Sequence, residues 1–433
     1  MQNLLMIGIL IDIALLIYIA RSANRGLKFL LYTLSGYWFL SFFLRPLLFI
    51  YSRDHNINSA VYDSRIGLSQ NNFIHVMYPI VLGCFTFCLP LIFQKLKINS
   101  VSESLKKMSD SRDISWILFY GTTCGLVAAI VENTPYRNPI SKSLVGLIPF
   151  CLCAYLWKRK VLGLSKLQQI FLISIASLSI LLLATNSGHF KGILLTPLLV
   201  LFYTLSIWQK KDNRLRKTII FLFTVLISIP LFTALQSRKL GATSVAEFNS
   251  YSDLLPWFYS PFLTLCVRFD QFPRAADAYF AGSGVIGGFG GWIKCILVNL
   301  EWNPNSGRNA PSFGNTWNQL VTNRSIPGAR FSPVSLAQGM IGEGLIWAGS
   351  LSLVIECLIV SFIFIWVGRL LDRGVLATIF AFGIIGNSTM FEAGSVQISG
   401  SISGAVKILI FLWISLKVTD IRRKKPWELR LNE

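Results

Sequence analysis

Apolar residues in this chain gather in long blocks separated by polar connections. Eleven blocks approach the length needed to cross a bilayer: Leu4–Ala20, Phe29–Ile50, Phe73–Phe93, Ile114–Val131, Ile140–Trp157, Leu167–Thr185, Gly192–Trp208, Thr218–Leu235, Leu345–Leu370, Val375–Phe391 and Ile398–Val418. About 20 apolar residues cover the hydrocarbon thickness, so several ends are expected to move by a turn. Backbone polar groups in lipid must find partners inside their own segment, which predicts helices throughout. The first block has no basic segment ahead of it, and no small-residue cleavage site follows it. It therefore reads as a span rather than a removable signal.

Composition agrees with this pattern. Of 433 residues, 53% are hydrophobic and only 14% charged, well below the quarter expected of a soluble domain. A soluble enzyme, a disordered chain and a nucleic-acid-binding domain are excluded on that ground, although a net charge of +20 would otherwise invite the last. The basic residues divide by loop. Arg21, Arg25 and Lys28; Lys95, Lys97, Lys106, Lys107 and Arg112; Lys158, Arg159, Lys160 and Lys166; Lys210, Lys211, Arg214, Arg216 and Lys217; Arg369 and Arg373; and Lys417, Arg422, Arg423, Lys424, Lys425 and Arg430 occupy alternate connections. Cytoplasmic loops are enriched in Lys and Arg, so this alternation places the N-terminus outside and the C-terminus inside. Topology and contact with anionic lipid account for this set.

One external connection differs from the rest. Gln236 to Gln338 is roughly a hundred residues long and rich in aromatic side chains, among them Trp257, Phe269, Phe272, Tyr279, Trp292, Trp302 and Trp317. Loops this long are usually functional, and this one is too aromatic to be a solvated tail. It is expected to fold as a cap of short helices: Leu263–Phe272 and Ala275–Phe280, separated by Pro273, and a half-inserted Gly291–Leu300. The chain divides accordingly into spans 1–8 (1–235), the external loop (236–338), spans 9–11 (339–418) and a basic cytoplasmic tail (419–433).

Basic residues outside the membrane are not required by topology, and those of the large loop are mostly Arg. Arginine binds planar oxyanions through a bidentate fork and keeps its charge when partly buried. Arg268 and Arg274, flanking Pro273, together with Arg330, lead the candidates for an anion site. Lys191, in the turn TNSGHFKG, and Arg45, in FFLRPLLF, follow them. An ionisable residue within a span is a functional hypothesis, with snorkelling to the headgroups as the competing account for Arg45 and more so for Lys407. Asp12 reads as a polar helix-packing contact, and Glu356, in mid-span, requires a partner.

Other chemistries find little footing. His55, His75 and His189 have no ligand spacing, and Asp54 and Asp63 stand apart, so no metal site is expected. Gly282, Gly284 and Gly287 formally match G-x-G-x-x-G, but the stretch ahead of them is helical, so a turn is the better reading. Cysteines in the spans suit small packing roles. Glu343, in GMIGEGLIWAG after the large loop, stands out among the external carboxylates, with a helix-start acid as the competing reading.

The large loop between the eighth and ninth spans, the Gly342-Glu343…Gly349 motif and the small-residue turn ending in Lys191 resemble the Wzy-type polymerases of bacterial O-antigen and capsular polysaccharide. Lys191 stands where that family more often has Arg. The resemblance implies an all-α, polytopic, GT-C-like glycosyltransferase in the bacterial inner membrane. It would transfer a growing glycan from undecaprenyl pyrophosphate to a lipid-linked repeat unit at the periplasmic face, with inversion and without a metal or other cofactor. Its partners would be the lipid-pyrophosphate-linked donor and acceptor, membrane lipids, a chain-length regulator and a flippase, and no nucleic acid. Cations would stabilise the pyrophosphate leaving group. Glu343 would be the acceptor-activating base, ahead of Asp270 and Asp277. An O-antigen ligase shares the architecture, but its large loop carries a His motif, and this chain has no His after His189. A lipid-linked oligosaccharide flippase is the remaining alternative.

Overall fold

The computed structural model describes residues 2–47, 73–93, 114–132, 134, 136, 144–185, 271–284, 287–300, 339–388 and 390–428. They form helices α1 (Gln2–Ser22), α2 (Arg25–Trp38, continued by a π-helical turn Phe39–Leu44), α3 (Phe73–Ile92), α4 (Ile114–Glu132), α5 (Leu147–Leu162), α6 (Lys166–Thr185), α7 (Gln271–Ala281), α8 (Gly288–Leu300), α9 (Gly339–Ala348), α10 (Ser350–Leu371), α11 (Val375–Ser388) and α12 (Ser395–Glu428). No strand occurs among the described residues. The expected blocks Gly192–Trp208 and Thr218–Leu235 lie outside them, and each of the other nine overlaps at least one helix. Among the described residues, five stretches are long and apolar enough to cross a membrane: Asn3–Ser22, Arg25–Leu47, Phe73–Ile92, Ser350–Leu371 and Ser395–Ser415. α1 leaves Leu4, Ile11 and Tyr18 at least 60% exposed, and α10 does the same with Leu351. Soluble surfaces rarely carry such apolar stripes; lipid-facing helices do. The described residues thus form an all-helical structure whose long apolar helices fit a membrane.

Two compact units are present. The first contains α1–α3, α7–α9, most of α10 and the first turn of α12. Small residues let its helices approach closely, as suits packing where lipid offers no hydrophobic drive. A Cβ on Gly83 of α3 would meet Cys357 and Leu353 of α10 at 3.3 Å, and one on Gly368 of α10 would strike the backbone of Leu27. Aromatic rings run through the middle, from Trp38 to Phe87 (5.4 Å), Phe364 (5.2 Å) and Phe391 (6.0 Å), each pair edge-on. Such edge contacts suit the ring quadrupoles. Asn24 caps α2 by accepting the Leu27 N–H at 3.1 Å. The π turn ends where Arg45 N–H reaches back to Leu40. Pro46, next in line, lacks an N–H and crowds the preceding turn, which explains the wider ladder there.

The second unit holds α4–α6, α11 and the rest of α12. Gly125 of α4 sits against Ile148 of α5 and Gly383 of α11 against Ala405 of α12, repeating the small-residue theme. The buried Trp157 indole donates to the Leu371 carbonyl at 2.8 Å. A reciprocal capping box opens α6: Ser165 N–H to Gln168 Oε1 at 3.0 Å and Gln168 N–H to Ser165 Oγ at 3.3 Å.

Several boundaries differ from the sequence expectation. The ninth block, Leu345–Leu370, is two helices, because Gly349 adopts φ +66° between α9 and α10. Hydropathy does not register a single left-handed residue. In the fifth block the helix begins at Leu147, residues 140–143 lying outside the described ones, and continues through Lys158–Lys160 to Leu162. Long basic side chains are good helix formers and end a span without ending its helix. Of the expected helix Leu263–Phe272, residues 263–270 lie outside the described ones, and from Gln271 on a single helix, α7, runs through Pro273 without a break.

Candidate functional site

The first unit gathers the described candidates. Arg274 and Asp277 lie on α7, which packs along α9, the helix of Glu343, and against the π turn that ends at Arg45. Phe272 of α7 stacks obliquely on Phe73 at 5.5 Å, and Tyr279 lies nearly parallel to His75 at 6.4 Å, so α7 is also fixed to the start of α3. Gln271, at the head of α7, fills the space beside Gly339, the left-handed residue (φ +68°) that opens α9. Arg268, Asp270, Arg330 and Lys191 lie outside the described residues.

Arg274 and Asp277, one helical turn apart, approach to 3.8 Å between Nη1 and Oδ2. Asp277 is fully buried, and Arg274 keeps 12% of its side-chain surface. A single carboxylate does not use up a five-donor guanidinium. Arg45 is only 3% exposed, so it faces protein rather than the surface. Snorkelling does not describe it, whereas Lys407 is exposed as snorkelling requires. Asp12 is buried, as a helix-packing residue would be.

Glu343 is 2% exposed. Its Oε1 accepts the backbone N–H of Val396 at 2.7 Å, in the first turn of α12. Burial holds its carboxyl well above the usual carboxylate range, and the neighbouring Glu356 adds to this, against the pull of the Val396 amide. Glu356, fully buried on α10, finds the partner its position demanded in Ser395. The Ser395 backbone N–H donates to Oε1, and the hydroxyl to Oε2 at 2.6 Å. Ser395 Oγ lies 3.4 Å from Glu343 Oε1 and accepts the Trp292 indole N–H at 3.0 Å. Asn299, seven residues along the same helix as Trp292, donates to the Val396 carbonyl at 2.6 Å. Trp292, Trp347 and Val396 pack into one buried apolar cluster, which Trp292 and Val396 join to this polar centre through their hydrogen bonds.

The glycines of GMIGEGLIWAG now have physical roles. A Cβ on Gly344 would lie 2.7 Å from Leu353 Cα, so α9 can fold tightly onto α10 only without a side chain there. Gly349 makes the left-handed corner between them. Ser352 secures the corner by accepting the Ala348 N–H at 2.7 Å and contacting the Gly349 carbonyl at 3.0 Å. Gly282, Gly284 and Gly287 all have φ between +79° and +90° and form a turn between helices α7 and α8. Helix α7, not a strand, leads directly into them, which is not the dinucleotide frame.

Sequence reasoning missed Ser395, Gly394 and Trp292. The small-residue run Gly394–Ser395 ahead of an apolar block was the available signal for a tight helix start. No cluster of three or more His, Cys, Asp or Glu suited to a metal occurs among the described residues. No family model, curated protein or solved structure matches the chain.

Proposed function

We propose that the chain is a membrane glycosyltransferase that polymerises undecaprenyl-pyrophosphate-linked repeat units into O-antigen or capsular polysaccharide at the outer face of the bacterial inner membrane. The observation that supports this reading most is the packing of α7. It sets the helix that carries Arg274 against both the helix of the Gly342-Glu343…Gly349 motif and the turn that ends at the buried Arg45. Arginines fixed beside a membrane helix bundle suit an anionic lipid headgroup.

The chemistry asks mainly for charge stabilisation. A pyrophosphate is a good leaving group, and its developing charge can be carried by fixed guanidinium groups in a low-dielectric site. Arg274, with Arg268, Arg330, Lys191 and Arg45, is assigned that role. No divalent cation or other cofactor enters the proposed reaction. The acceptor hydroxyl must lose its proton as the glycosidic bond forms. A base has to reach that proton. Of the three candidate bases, Glu343 and Asp277 are buried in this conformation, so we assign deprotonation to the third, Asp270, which lies outside the described residues.

Complementation of a strain lacking the gene tests this function. The wild-type chain should restore a ladder of polymer lengths, and Arg274→Ala should leave glycan of a single repeat. Lipid-linked polymer accumulating in the deletion strain would instead mean a ligase.

A further inference from the structure

Glu343 and Glu356 come from different helices, converge on one helix end, and have no Lys or Arg within ion-pair distance among the described residues. We infer that they act as a single carboxyl pair holding one proton, which caps the first turn of α12 and fixes α9, α10 and α12 to one another; both are positioning residues.

Four observations carry this. First, α12 begins at Gly394, whose carbonyl accepts the Ile398 N–H at 3.0 Å. A glycine N-cap has no side-chain oxygen for the free amides that follow it. Glu356 takes the Ser395 amide and Glu343 takes the Val396 amide, so other helices supply the cap. Second, Gly394 leaves room for nothing else. A Cβ there would strike the Glu343 carboxyl and come within 2.8 Å of Glu356 Oε1.

Third, the donors are unequally shared. Ser395 Oγ has one hydrogen, and the 2.6 Å contact to Glu356 against 3.4 Å to Glu343 assigns it to Glu356. Glu356 therefore receives two donors and Glu343 one. Fourth, among the described residues no Lys or Arg forms an ion pair with either carboxyl group. Cys295 on α8 and Cys357 on α10 are the neighbouring titratable groups, Lys294 is exposed on α8, and on α7 Arg274 approaches Asp277. Two adjacent buried carboxylates without a cation repel strongly. One negative charge, in contrast, is matched by the amides and positive dipole end of a 34-residue helix.

This inference goes beyond the proposed reaction and holds whatever that reaction is. Its test is infrared spectroscopy of the full-length protein in lipid nanodiscs, reading the carbonyl stretch of protonated carboxyl groups. Glu343→Gln and Glu356→Gln keep an amide-accepting oxygen in place. Each should lose one protonated-carboxyl band relative to wild type, with a thermal midpoint close to wild type. The double variant should lose nothing more. Unchanged bands in the single variants, a second band lost in the double variant, or midpoints as low as those of the corresponding Ala variants would each overturn the inference. Gly394→Ala, which forces the carboxyls away without removing either, should change the same band.

Discussion

Ser395 meets Glu356 twice, once through its backbone N–H and once through its hydroxyl at 2.6 Å. A charged or polar group in mid-span is tolerated only with such partners. Glu356→Ala should therefore orphan two buried donors, each costing about 1–3 kcal/mol. The full-length protein in detergent should show a clearly lower thermal midpoint, whereas Glu356→Gln should fall much less. Equal losses from both variants would mean that the hydrogen bonds do not matter.

Trp292 ties α8 to the same centre through its indole N–H to Ser395 Oγ at 3.0 Å. Trp292→Phe keeps most of the ring packing and removes that bond. The expected loss is about 1 kcal/mol, read from denaturant or thermal unfolding. A loss no greater than that of a substitution at the exposed Ile293 would show that the bond adds nothing.

Gly349 holds φ +66° at the corner between α9 and α10. An alanine there is expected to cost about 1–2 kcal/mol, because its Cβ crowds the following carbonyl. Asn, which enters the left-handed region more readily, should cost less. If Ala and Asn behave alike in the same unfolding measurement, the corner does not depend on the glycine conformation.

Arg274→Ala should reduce polymer formation by about 10²–10³-fold, the effect of removing one preorganised charge-stabilising donor. Arg274→Lys should recover part of it, since the charge returns without the fork. The measurement is the length distribution of surface glycan at matched protein levels in the membrane. Full ladders from both variants would remove Arg274 from the site.

Much of the helical framework was legible because hydropathy reads a lipid-facing or core-facing block directly. α1, α3 and α6 fall within a few residues of their expected ends. The break at Gly349 was not legible, because one glycine among apolar residues leaves the block average unchanged. The buried state of Arg45 was hidden for a related reason: a span's sequence gives the depth of a residue but not which side of the helix meets protein. Glu343 was singled out by its motif, yet its contact with Val396 joins residues 53 positions apart. Local patterns do not report such pairs. The same distance in sequence concealed Ser395, although Glu356 alone already demanded a partner of that kind.

The most direct measurement of the proposed function is transfer by the purified full-length protein in liposomes. It would be supplied with undecaprenyl-pyrophosphate-linked repeat units and a metal chelator. The account predicts lipid-linked products of two or more repeats together with released undecaprenyl pyrophosphate, in wild type and far less in Arg274→Ala. Substrate left entirely as single repeats by a folded wild-type protein, with or without added divalent cation, would contradict it.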